Sequence, residues 1–294
     1  MIKLFNSRFN DRSISVIKKN FLSGQIYSGN QVRKLEIKLL KFFKKHKEVV
    51  ALSDLSNAMF LLLKVCNIKK GDEILVASFN CLSSTTSIVN IGAKPVWVDL
   101  NKNYPEMSLR DCKKKVNKKT KALILYHVAG YPSETSKFKN FCKKNNLIFI
   151  EDINNSFGSK IDGFHVGENS DYSILSFYPN RQLSSINGAA VVCSDHKTAS
   201  KLKRLRKYGI DKNKFRKKNG EINENFDLKE IGYFSEMPEI SAAILNYRLS
   251  YFKKNLKKIK ENVYLYRNKL KNTKIISKID FYKNSRPNCW VYFI

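Results

Sequence analysis

The chain is 294 residues long and 43% apolar, and it carries 55 Lys+Arg against 25 Asp+Glu, a formal net charge of +30. That length buries a large core, with one large domain plus a small one as the expected division, and the apolar share is ordinary for a globular protein. The charge favours anionic partners, but no helix-turn-helix, zinc-finger or RNP-type signature accompanies it, which argues against a dedicated nucleic-acid protein. Lysine runs such as Lys113–Lys115, Lys143–Lys144 and Lys253–Lys254 read as solvated helix faces.

The six cysteines (66, 81, 112, 142, 193 and 289) form no CxxC pair, and the four histidines (46, 127, 165 and 196) show no ligand spacing. The expectation is reduced thiols in a cytoplasmic protein, with no disulfide frame and no metal site. Met1–Phe9 lacks the apolar stretch of a signal peptide, and no apolar run approaches the length of a membrane span.

In chain order, Ser13–Leu22 reads as a short polar helix or arm and Gln25–Asn30 as a turn. Gln31–Lys45 places Val32, Leu35, Leu39 and Phe42 or Phe43 at three-to-four spacing, an amphipathic helix. Val49–Leu52 is a short strand, and Asn57–Cys66 is apolar enough to be a helix buried on most sides. A regular alternation follows. Strands are expected at Glu73–Ala77, Lys94–Val98, Lys121–Tyr126 and Leu147–Ile150, and helices at Ser83–Ile91, Ser108–Val116 and Ser136–Lys144. Tyr172–Phe177 and Ala189–Cys193 add two more strands around a polar loop broken by Pro179. Short strands that are apolar throughout suit a parallel sheet covered on both faces, so the fold class is α/β: a three-layer α/β/α large domain with a mostly parallel sheet.

After Cys193 the pattern changes. His196–Tyr208 is a basic helix, Gly209–Ile231 is loop-like, and Pro238 is expected in the first turn of a helix running towards Leu270. Ile275–Phe281 reads as a strand opening a small α+β domain, and Cys289–Ile294 as an apolar strand with nothing following it. The expected division is an arm at 1–30, a large domain at 31–235, and a long helix with an incomplete small domain at 236–294. A closing strand left as an exposed edge suggests a truncated gene or a fragment.

Ligands in open α/β sheets bind beyond the carboxyl ends of the strands. Those ends carry Ser53–Asn57, Phe79–Ser84, Tyr126–Tyr131, Glu151–Asn155 and Ser176–Gln182. Glu151 and Asp152 form a carboxylate pair there, readable as cofactor or metal partners, or as a helix cap or solvated acids. Ser53, Ser56 and Asn57 precede a helix whose free N–H groups suit a phosphate, with plain capping as the alternative. His127 reads either as a base or stacking ring, or as a hydrogen-bonded structural residue.

Ile26–Glu36, Gly71–Leu75, Gly92–Asp99, Thr120–Gly130, Glu151–Asp152, Ser176–Phe177 and Ile231–Leu249 form an ordered set. On these segments the chain resembles the DegT/DnrJ/EryC1/StrS sugar aminotransferases, of pyridoxal-phosphate (PLP) fold type I. The resemblance implies a homodimer with the site at the subunit interface. It also implies a nucleoside-diphosphate keto sugar as substrate, glutamate as amino donor, and products for O-antigen, capsule or antibiotic sugars.

Residue by residue, it assigns Asp152 to the pyridinium nitrogen and Ser176 to the PLP phosphate. Asn155 stands where a glutamine is usual near the ring. Ser56 matches the hydroxyl residue of the phosphate loop, where Leu55 replaces a glycine. Cys81 falls where an aromatic ring commonly stacks on PLP, and Ile186–Ala189 (INGA) falls on a Gly-Glu-Gly-Gly turn. Arg181 falls on the Schiff-base lysine. A guanidinium stays protonated and can serve neither as that amine nor as its proton shuttle. Three readings follow: an enzyme with altered chemistry or non-covalent PLP, an inactive homologue that has lost PLP and binds a nucleotide sugar or an active paralogue, or ordinary transamination despite Arg181.

Overall fold

Apolar pentapeptides joined through amphipathic helices build one seven-stranded sheet with helices on both faces. The computed structural model describes residues 9–27, 29–102, 104–270, 272–273 and 282–292. The N-terminal half runs α1 (Asp11–Leu22), α2 (Gln31–Leu40), β1 (Glu48–Leu52), α3 (Leu55–Val65), β2 (Glu73–Ala77), α4 (Leu82–Asn90), β3 (Lys94–Val98), α5 (Leu109–Lys115) and β4 (Thr120–Tyr126). It continues through α6 (Thr135–Lys144), β5 (Ile148–Asp152), the short pair β6 (Lys160–Ile161) and β7 (Phe164–His165), then β8 (Tyr172–Ser176) and β9 (Ala189–Cys193). The remainder is α7 (His196–Leu205), α8 (Lys212–Phe215), α9 (Glu239–Lys269) and β10 (Ser285–Arg286).

The sheet order is β1-β9-β8-β5-β4-β2-β3. The pairs β2/β3, β2/β4, β4/β5 and β5/β8 are parallel. β9 is antiparallel to both its neighbours, β8 and β1. The loop from β8 to β9 carries no helix, so no crossover is built and the chain turns straight back. Because β1 and β8 both oppose β9, they share a direction. The carboxyl ends of β1, β2, β4, β5 and β8 therefore open on one edge of the sheet.

Side chains alternate between the faces. Ala122 and Ile124 of β4 join Ile74, Val76, Ile150 and Val191 against α3 and α7. Leu123 and Leu125 join Leu75, Ala77, Phe149, Phe138 and Phe141 on the opposite face. Beside them Val49, Ala51, Leu175, Ala190 and Val192 pack on Leu35, Leu39, Ala242 and Leu245 of α2 and α9. Nearly all these residues are fully buried, as a sheet covered on both sides requires.

The expected elements need several corrections at their ends. α2 stops at Leu40, and Lys41–Lys45 form turns instead. α3 begins at Leu55 rather than Asn57, because the Asp54 carboxylate accepts from Asn57 N at 2.9 Å and caps the helix. α7 ends at Leu205, and the 209–231 stretch includes α8. Pro238 lies outside α9, with extended φ/ψ of −60° and 140°. Glu239, the first residue of α9, reaches Gln31 N at 2.5 Å and Val32 N at 3.4 Å. It supplies the N-terminal cap that Asn30 does not give α2. The strand expected at Ile275–Phe281 lies outside the described residues.

Residues 289–292 form no strand, contrary to expectation, and 293–294 lie outside the described residues. Asn288 is the reason. It is 1% exposed and donates from Nδ2 to Asn155 O (2.9 Å) and Phe157 O (3.0 Å). Its backbone N donates to Ser159 Oγ at 2.8 Å, and its Oδ1 accepts from Trp290 N at 3.0 Å. The chain then turns through Cys289 at φ 56°. This delivers the Trp290 indole N–H to Asn180 O at 2.9 Å.

Asn288→Ala orphans two buried carbonyls, and urea denaturation is expected to show a loss of about 2–4 kcal/mol. Gly209 has φ +87°, and a Cβ there would lie 1.8 Å from Glu230 O. Gly209→Ala is expected to cost more than about 1 kcal/mol in the same measurement.

Candidate active site

Alternation along β5 separates the carboxylate pair. Glu151 faces away from the sheet edge, 0% exposed, with its Oε1 3.0 Å from His127 Nε2. His127 Nδ1 accepts from Ser133 N at 3.0 Å, which leaves the proton on Nε2 to donate to Glu151. Burial works to raise the Glu151 pKa, but the His127 hydrogen bond holds it below the ordinary carboxylate value. His127 is thus the structural member of its two readings, a buried strut behind the edge.

Asp152, also 0% exposed, faces the other way. Its Oδ1 accepts from Asn154 N (3.1 Å) and Asn154 Nδ2 (2.8 Å), and its Oδ2 has no partner among the described residues. Burial pushes the carboxyl above its ordinary value, against the pull of Ser84, Asn154 and the Arg181 charge. Asn155 Nδ2 donates to the Tyr126 hydroxyl, while its Oδ1 is buried and unpartnered among the described residues. The Tyr126 phenol is itself pushed up to about 12, chiefly by burial and then by the Asp152 charge.

Arg181 stands on the loop after β8, its backbone N turned onto Tyr178 O at 2.9 Å. Nη1 donates to Asn180 Oδ1 at 2.7 Å, and the guanidinium carbon sits 5.2 Å from the Trp290 ring centroid. Nε is buried with no partner among the described residues. Burial draws the Arg181 pKa below its ordinary value, opposed first by Asp152 and then by Cys81, Tyr126 and Tyr178. Arg181, Ser176, Asn155, Asn154 and Asn288 line a cavity of about 10 Å³, at the lower limit for one water molecule. Ser176 is 6% exposed there, and its Oγ accepts from Tyr178 N at 3.3 Å.

The fold therefore gathers Asp152, Asn155, Ser176 and Arg181, with Cys81 in the field of the last. Cys81 itself is exposed, at the start of α4. Leu55 and Ser56 open α3. Leu55 is buried, and Ser56 Oγ donates to Ser83 O at 3.2 Å, tying α3 to α4. Sequence reasoning passed over Asp54, although an Asp before an apolar helical run is a recognisable cap signal. Asp54 Oδ2 also accepts from Ser53 Oγ (2.8 Å) and Asn57 Nδ2 (2.6 Å). It passed over Trp290 and Asn288 too, whose part rests on long-range packing that carries no local signal. Among the described residues no cluster of three or more His, Cys, Asp or Glu can hold a metal ion, and no helix is long and apolar enough to cross a membrane.

Comparison with known proteins establishes the family and the fold. GDP-perosamine synthase of Vibrio cholerae is 31% identical over 189 residues, 64% of this chain and 51% of that protein. GDP-perosamine synthase of Escherichia coli O157:H7 is 30% identical over 219 residues, 74% and 56% respectively. The chain thus spans a little over half the length of these curated relatives. Among solved structures, AtS13 from Actinomadura melliaura superposes with a TM-score of 0.91 at 21% identity, covering 99% of this chain and 79% of that one. DesV of S. venezuelae, in complex with a ketimine intermediate, gives 0.86 at 23% identity, covering 96% and 72%. The fold is that of the fold-type-I aminotransferases. A profile of the DegT/DnrJ/EryC1/StrS aminotransferase family matches residues 8–294, and the chain belongs to that family.

Proposed function

We propose that the protein binds a nucleotide-linked keto sugar and a pyridoxal-type cofactor held without a covalent tether, and that its chemistry is not lysine-dependent transamination. The carrying observation is Arg181, half-buried beside Trp290 and in the field of Asp152, at the position the resemblance gives to the lysine. A guanidinium offers no neutral amine to a carbonyl. The open Asp152 Oδ2 suits a ring N–H, so the donor set matches the cofactor ring but not its usual attachment, and the cavity of about 10 Å³ beside Arg181 must widen to admit it.

When bound, the cofactor supplies an electron sink for a substrate carbanion. Asp152 would hold the ring-nitrogen proton, and the Ser176 hydroxyl and Arg181 guanidinium would face the anionic group. Asn155 and Cys81 would flank the ring. Names such as GDP-perosamine synthase among the relatives support a role in making amino sugars for surface polysaccharides such as O-antigen. We extend the family's homodimer to this chain, and its amino donor, glutamate, to an active form of it. Six free cysteines, three of them buried, support a cytoplasmic setting.

The Asp54 carboxylate favours a second reading. It already takes the Asn57 N–H at the start of α3, where the resemblance expects a phosphate, and it would repel that group. Under this reading the protein is a catalytically silent homologue that holds a nucleotide sugar or pairs with an active paralogue.

PLP titration followed by borohydride and peptide mass spectrometry separates the two. The unsubstituted protein is expected to bind PLP saturably with no reducible adduct at position 181, and Arg181→Lys to gain one. Failure of both proteins to bind PLP sinks the first reading and leaves the second.

The Asp152–Arg181 field has its own test. A carboxyl whose folded pKa is raised costs stability once ionised, and that cost disappears as pH falls through the folded value. Arg181→Met removes the charge that eases this cost. It is expected to raise the Asp152 pKa further by carboxyl carbon NMR, and to destabilise the fold more at neutral pH than in mild acid.

A further inference from the structure

Away from the Arg181 cavity, the turn after α2, the β6–β7 hairpin and the middle of α9 enclose a hollow of about 770 Å³. Six lysines line it: Lys38, Lys41, Lys44, Lys45, Lys160 and Lys253. None of the six takes part in an ion pair among the described residues. The hollow's single carboxylate, Glu168, is 7% exposed, and burial pushes its pKa up, which weakens it as a counter-charge. Phe42 and Phe164 form apolar walls, with Lys45 Nζ held 3.6 Å from the Phe164 ring centroid and 2.8 Å from Asn169 Oδ1.

His165 reports the field inside. Its Nδ1 is buried without a partner among the described residues, and its pKa falls to about 4, first through burial and then through Lys160, Lys253, Lys260 and Lys44. The facing groups thus come from its own hairpin, from α9 and from the turn after α2, with Glu168 the carboxylate on the wall. Lys160 is half-buried and the other five lysines reach solvent, so together they set up a positive potential over one concavity that draws anions.

We propose that this hollow is a second binding site, for a soluble oligophosphate: an anion carrying two or more phosphate groups. Its volume falls within the range of small-molecule sites. Its enclosure by three elements suits a compact ligand rather than an extended polymer or a flat lipid surface. Lysine binds phosphate as a point charge, and a multiply charged anion neutralises more of the six than one phosphate can. The site shares no lining residue with the Arg181 cavity. Phe157 lines that cavity and packs on Phe42 with ring centroids 5.0 Å apart, so a pair of aromatic rings forms part of the wall between them.

The test is calorimetric titration of the full chain with inorganic tripolyphosphate at low salt. Saturable binding is expected, tighter than that of orthophosphate. The quadruple variant Lys41→Gln, Lys45→Gln, Lys160→Gln, Lys253→Gln is expected to weaken it by about tenfold or more, while Arg181→Gln stays within about twofold. On the unsubstituted protein, proton NMR is expected to show the His165 pKa rising on saturation, since an anion offsets the lysines that depress it. No binding, equal binding of orthophosphate, unchanged affinity in the quadruple variant, or loss in Arg181→Gln overturns the proposal. So does a stationary His165, or binding to anionic phospholipid vesicles without binding to tripolyphosphate.

Discussion

A carboxylate with no solvent contact organises the candidate site. Asp152 ends a central strand, one oxygen committed to Asn154 and the other without a partner among the described residues. Burying an ion costs several kcal/mol, about the scale of a domain's whole stability margin, unless opposite charge and hydrogen bonds offset it. Arg181 supplies the opposite charge, and Trp290 and Asn180 hold the guanidinium in turn. Trp290 can do so because Asn288 ties the last described segment to the loop after β5. A chain of dependence thus runs from one buried charge to residues more than a hundred positions away.

The strand alternation that buries Asp152 also disposes of its neighbour. Glu151 and Asp152 are adjacent in sequence but sit in unlike chemical settings. One is held ionised by a histidine strut, and the other is pushed towards neutrality. The first is a tie within the fold, and the second is a destabilising burial that ordinary packing elsewhere offsets.

Much of this was legible in the sequence. EILVA and KPVWV became strands with the expected bounds, because uninterrupted apolar pentapeptides between polar turns leave little other choice. Converging strand ends brought out the segments Glu151–Asn155 and Ser176–Gln182, and the family resemblance singled out Asp152, Ser176 and Arg181 within them. Less legible were features set by distant partners. Nothing local says that β9 runs against both its neighbours, or that Cys289 adopts a left-handed turn in place of extending a strand. The basic hollow was hidden for a different reason. Its lysines lie on separate elements, and each alone is indistinguishable from a solvated surface residue.

The Glu239 carboxylate, described as the cap of α2, also bears on how the molecule is made. It links residues 208 positions apart, and β1 pairs only with β9, another late element. A ribosome releases the N-terminal end first. The emerging α2 therefore waits through most of the synthesis for its cap, and β1 for a strand partner. The parallel strands β2, β3, β4 and β5 pair among themselves and need no such wait. The order of these contacts along the chain favours assembly from the middle outward, with α1 and α2 docking late on α9 and the last described segment fastening to β6 and to the loop after β5.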